Sequence, residues 1–161
     1  MNHLFIQEYA ACVDDLVAHP IVRSMDQFIH HSQVTCLEHC LSVSYHSFLL
    51  CRRLGLDSRS AARSGLLHDL YLYDWHIQHP EPGLHGYTHP ATALRHARQY
   101  FTLNQREINA IERHMWPLTL RPPTCRVAWM VCLVDKYCAL VEVLRISSWQ
   151  DLRILKYRPA E

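Results

Sequence analysis

Residues 60–70 read SAARSGLLHDL, and residues 127–140 read VAWMVCLVDKYCAL. In the first, small and apolar residues at helical spacing lead into adjacent His68 and Asp69. In the second, a helix that is apolar on nearly every side carries one carboxylate, Asp135, among Val131, Cys132, Cys138 and Ala139. An isolated buried carboxylate is expensive, so it shifts its pKa or takes a partner. No arginine lies within one turn on that face. A metal ion is the economical explanation. A third stretch, 34–54, places Val34, Leu37, Leu41, Tyr45, Phe48 and Leu49 on roughly one side, with His39 mid-helix beside Thr35, Cys36, Ser42 and Val43.

Outward from these three, the chain reads as helix after helix. Residues 3–18 follow a period near 3.6 until His19-Pro20 breaks them, and 21–29 form a short segment. Gly55 stops the helix begun at 34, and Asp57 or Ser58 caps the next, about 59–71. Residues 74–89 hold two prolines, two glycines and four histidines and read as an ordered loop. Pro90 then opens a helix over 90–101. Asn104 and Glu107 form a capping box ahead of helix 105–115, and Thr124 caps a long helix to about 146. No run carries a strand or hairpin signature. The expectation is an all-α, single-domain helical bundle over residues 1–161, with its core at about 20–146 and a C-terminal tail, 147–161, that could hold one more short helix.

At 161 residues, a single domain is expected from a prior of ~150 residues per domain. Hydrophobic residues make up 49% and charged residues 19%, which excludes a disordered chain. A net charge of +1 gives no long-range attraction to phosphate polymers or anionic surfaces, so dedicated nucleic-acid binding is not expected. The longest apolar run, Val127 to Val134, falls far short of the ~18 residues a membrane span needs. The first residues, MNHLFIQEYAACVDDL, lack a basic start, so no secretory leader is expected. Seven cysteines, odd in number and without a CxxC pair, read as reduced thiols in a cytoplasmic protein. Histidine is the compositional anomaly, with 13 residues. Imidazole is the commonest metal ligand and titrates near neutrality.

The order His39…His68-Asp69…Asp135 resembles the HD domain, an all-helical family of metal-dependent phosphohydrolases. The resemblance spans roughly residues 20–145 and includes the run Ser64-Gly65-Leu66-Leu67 before His68-Asp69 and the triplet Val134-Asp135-Lys136. His89 and His114 resemble the further ligands of the extended two-metal form, H…HD…H…H…D. That form is shared by cyclic-dinucleotide phosphodiesterases, whose GYP signature is absent here, and by di-iron oxygenases of the same fold. The resemblance implies that His39, His68, Asp69 and Asp135 hold one metal, and that His89 and His114 hold a second with Asp69 bridging. Imidazoles with carboxylates suit two divalent transition-metal ions, Fe or Mn foremost, with Zn, Ni or Co as alternatives.

Asp69, as the bridge, is the expected catalytic residue. His85 rivals His89, which is preferred because Pro90 mounts it at a helix start. His31, two helical turns before His39, and Lys136, rotated ~100° from Asp135, are the expected substrate-facing residues. His76, His79 and His96 read as surface histidines, a reading left open for His30, and the four tryptophans as core. The function expected is hydrolysis of a small, nucleotide-like phosphate ester by a metal-activated water. The alternatives are a di-iron oxygenase and a non-catalytic, metal-stapled binding domain. The expected partner is a small-molecule phosphate substrate, with no membrane; a homodimer stays open.

Overall fold

The computed structural model describes residues 3–31, 34–77 and 83–144. The elements run α1 (His3–Ala18), α2 (Pro20–Arg23), a 3-10 turn (Ser24–Gln27), β1 (Ile29–His31), β2 (Val34–Thr35), α3 (Cys36–Arg53), α4 (Ser58–Leu67), α5 (His85–Tyr100), α6 (Gln105–Arg113) and α7 (Arg126–Val143). The fold is all-α, as expected, with one departure. Residues 29–31 and 34–35 pair as a small antiparallel ribbon, Ile29 opposite Thr35, which the helical pattern of the flanking sequence hides. The C-terminal tail lies outside the described residues, as do His79 and the side chain of His31.

The bundle is organised around α3 and α4, which pack most extensively on each other. α4 also touches α1, α6 and α7, and every residue from Ser60 to Leu67 is buried. Its small side chains allow this. A Cβ on Gly65 would lie 2.8 Å from the Ser44 Cα and 3.0 Å from the Ser44 N, so only glycine lets the two backbones approach this closely. Cross-links then fix the pair: Tyr9 Oη donates to Ser44 Oγ at 2.9 Å, and Ser44 Oγ donates to the Ala62 carbonyl at 2.6 Å. A larger apolar cluster (Tyr9, Leu16, Met25, Leu41, Leu66, Ile111) fills one side, and a smaller one (Val43, Ala61, Ala110, Val131) seats α7.

The helix ends show the local chemistry plainly. Thr35 and Glu38 form a reciprocal capping box on α3, and Asn104 and Glu107 form another on α6. Asp57 Oδ1 accepts from the Ser60 amide at 3.0 Å and starts α4. Gly55, at φ +65°, turns the chain after α3. Two expected starts are corrected. α5 begins at His85, so Pro90 lies inside it rather than at its first position. Pro90 is still within the second turn, where loss of its N–H leaves only the Gly86 carbonyl without an intrahelical donor. α7 begins at Arg126 after Cys125; Thr124 does not cap it but donates its amide to Asn109 Oδ1 at 2.9 Å. All seven cysteines are free. No helix among the described residues is long and apolar enough to cross a membrane.

Candidate metal centre

Five helix segments converge on one buried cluster. His39 comes from the first turn of α3, His68 and Asp69 from the turn ending α4, His89 from α5, His114 from the residue closing α6, and Asp135 from mid-α7. Each is under a tenth exposed. Asp69 stands at the middle. Its Oδ2 lies 3.5 Å from His68 Nε2 and 3.6 Å from His30 Nε2. Its Oδ1 lies 3.2 Å from His89 Nε2 and 3.4 Å from His114 Nε2. Asp135 Oδ1 completes the first side, 3.2 Å from His39 Nε2 and 3.5 Å from His68 Nε2.

Backbone carbonyls set the imidazole tautomers. A carbonyl can only accept, so His68 Nδ1 donates to the Gly65 carbonyl at 2.8 Å, His89 Nδ1 to His85 at 2.8 Å, and His114 Nδ1 to Ile111 at 2.9 Å. When neutral, each ring therefore presents an Nε2 lone pair inward. His68 Nε2 then faces two carboxylates and makes no hydrogen bond, and neither does Asp69 Oδ1. His89 Nε2 and His114 Nε2 stand 2.8 Å apart as two lone pairs. Acceptors aimed at acceptors in a buried site need a cation between them. The donor set of imidazole nitrogen and carboxylate oxygen suits a divalent transition metal. Three groups have ligand atoms mutually close enough to share an ion: His39, His68, Asp135; His68, Asp69, His114; and His30, His39, Asp69.

The electrostatics agree. Burial opposes ionisation of Asp69, but positive charge on His68 and His89 outweighs it and holds the carboxyl well below its usual range. Asp135 is held down the same way, by His39 and His68 against burial. Burial also opposes charge on His39, yet hydrogen bonds to Asp135 and Glu142 lift its pKa well above the usual value. His114 goes down, chiefly through burial. His68 also goes up, through Asp69 and Asp135 against burial.

Lys136 sits at the edge, its Nζ donating to the His114 carbonyl and 3.4 Å from Asp135 Oδ2. His85 packs against His89, the rings stacked with centroids 4.5 Å apart at 18°, and its Nδ1 lies 3.0 Å from Tyr73 Oη. Because α5 starts at His85, the two histidines are one turn apart on one face. The helical spacing of His31 from His39 is not realised, since β1 is extended and its neighbour His30 turns inward. His30 stacks on His39 at 4.2 Å. Glu142, absent from the sequence expectations, places Oε2 2.8 Å from His39 Nδ1. It follows Asp135 by two turns on the same face of α7, which is the signal that points to it.

An all-helical domain with a buried His/Asp cluster built from five segments defines a class of metal-site proteins. The HD domain family matches residues 36–140, and the chain belongs to that family. Its members are generally metal-dependent hydrolases that bind divalent metals. No curated protein and no solved structure matches the chain.

Proposed function

We propose that the protein is a phosphohydrolase acting on a small phosphate ester through two divalent ions that share Asp69. The observation that carries this reading is the split of the Asp69 carboxylate, one oxygen toward His68 and His30 and the other toward His89 and His114. His39, His68 and Asp135 would complete the first site, and His89 and His114 the second. Two ions so held would supply an acidified water and positive charge for the phosphoryl oxygens.

The chain's own groups do the rest. Carbonyls of Gly65, His85 and Ile111 lock three imidazoles with Nε2 inward, so the ligands need no reorganisation. Lys136 offers an ammonium beside Asp135 for a phosphoryl oxygen. No cysteine or serine nucleophile is invoked; burial raises the thiol pKa of Cys40 and Cys132. Seven free cysteines fit a reducing compartment such as the cytoplasm.

The test is a panel of phosphomonoesters, nucleotides and cyclic phosphodiesters with manganese- or iron-loaded protein. Hydrolysis of at least one, abolished by chelation, is expected. Silence across the panel with substrate-dependent oxygen uptake overturns it in favour of oxygenase chemistry.

A further inference from the structure

A pocket of about 400 Å³ opens directly above the metal centre. Its two sides differ in chemistry. The floor is polar: Asp69, His89, His114 and Asp135. The facing wall is Trp75, Met115, Pro117, Leu118 and Ala139. Trp75 stacks flat on His85, centroids 5.1 Å apart at 11°, and His85 in turn stacks on His89, so an aromatic ladder leads from the wall to the ligands. Gly86 lets the wall close in, since a Cβ there would lie 2.8 Å from Leu118 Cδ2 and 3.6 Å from Met115 Cε.

Among the described lining residues, Lys136 is the one lysine or arginine. Its Nζ is held at the floor by the His114 carbonyl and Asp135. The ring nitrogens nearest the wall already have partners: His85 Nδ1 has Tyr73 Oη, and His30 Nδ1 has Tyr71 Oη at 3.1 Å.

We infer that the substrate carries a single phosphoryl group on an apolar body, aromatic or branched hydrocarbon, which lies against Trp75, Met115 and Leu118. This rests on the phosphohydrolase reading and narrows it away from nucleotides. The physical reason is what each substrate class would leave unpaired. A di- or triphosphate would bring further charges against a wall whose described residues hold no cation to meet them. Among the described residues the wall offers a ribose or polyol one unpaired polar side-chain atom, Trp75 Nε1, too few for its several hydroxyls. An apolar body instead gains the burial of its own surface and of the wall.

Calorimetric titration of the manganese-loaded protein with three phosphonates tests this: methylphosphonate, benzylphosphonate and 2,3-dihydroxypropylphosphonate. All three bring the same anionic head and none is hydrolysed. Benzylphosphonate should bind about ten- to a hundredfold tighter than methylphosphonate, and the dihydroxypropyl compound no tighter than methylphosphonate. Leu118→Asn should reduce the benzyl-to-methyl ratio to within a few-fold of one. Leu118 is 43% exposed, so the change does not threaten folding. Met115→Gln is the second variant, expected to act in the same direction. Methylphosphonate binding with no benzyl advantage, or with a dihydroxypropyl advantage, or with a ratio insensitive to both variants, overturns the inference and leaves the phosphohydrolase reading standing. Binding of none of the three overturns both.

Discussion

The Glu142 carboxylate accepts from His39 Nδ1 at 2.8 Å, which turns His39 Nε2 toward Asp135 at 3.2 Å. Both partners are fully buried at the side chain. A carboxylate behind a ligating imidazole fixes its tautomer and raises its basicity. Glu142→Gln keeps the shape but removes the charge. It should weaken metal affinity by about 10–100-fold, measured by competition with a chromogenic chelator. Wild-type affinity in this variant would mean that His39 is not a ligand.

Asp69 and Asp135 should fail differently. Asp69 faces imidazoles on both sides, whereas the imidazoles against Asp135 are those of His39 and His68, on one side. Asp69→Ala should therefore lose both ions and all turnover. Asp135→Asn should retain part of the ion held by His89 and His114. Elemental analysis of both variants, beside the metal-free wild type, separates the two outcomes.

Gly65→Ala should link packing to the site. Its new Cβ would meet the Ser44 backbone at 2.8 Å, and backbone yields only by moving α3 against α4. That movement should cost about 1–3 kcal/mol. It should also weaken metal binding, because His39 rides on α3 and His68 closes α4. Gly55→Ala is the contrast. It has open space but φ +65°, so it should cost about 1 kcal/mol of backbone strain and leave the metals in place. Thermal unfolding and metal content of the two variants provide the comparison.

Proton and metal should compete. The folded pKa of His39 is raised, so in metal-free protein its contribution to stability is complete below the unfolded histidine value, ~6.5, and is lost as pH rises through the folded value. Asp69 and Asp135 have lowered pKa values, so their contributions are present above the usual carboxylate range and are lost as pH falls through the folded values. The metal-free protein should thus lose stability on the alkaline side, where the metal-bound form gains affinity. The rise in Tm on adding manganese should be larger at about pH 8 than at about pH 6. A constant shift would mean that no proton leaves His39 when metal binds.

What the sequence discloses follows from how costly each residue is in its local pattern. Asp135 stands out because a carboxylate on an apolar helix has no cheap explanation, and His68-Asp69 because it ends a helix of small buried residues. The capping box at Asn104 is local, so the α6 start is legible, whereas α3, expected from 34, begins at Cys36 behind a Thr35 cap because 34–35 pair as β2. The start of α5 is not legible. Pro90 reads as a helix opener by type, yet it lies inside a helix that begins at His85. His30 is hidden because residues 29–31 are too short to show strand alternation, and extended geometry then turns one histidine of an adjacent pair inward. Trp75 reads as a core residue by type, and only the fold places it on the pocket wall.

The central claim is that Asp69 bridges two ions. Anomalous scattering from crystals of the manganese-loaded protein tests it most directly. Two peaks are predicted about 3.5–4 Å apart, one on each Asp69 oxygen. The first should lie among His39, His68 and Asp135, and the second against His89 and His114. A single peak, or two peaks neither of which touches Asp69, would contradict it.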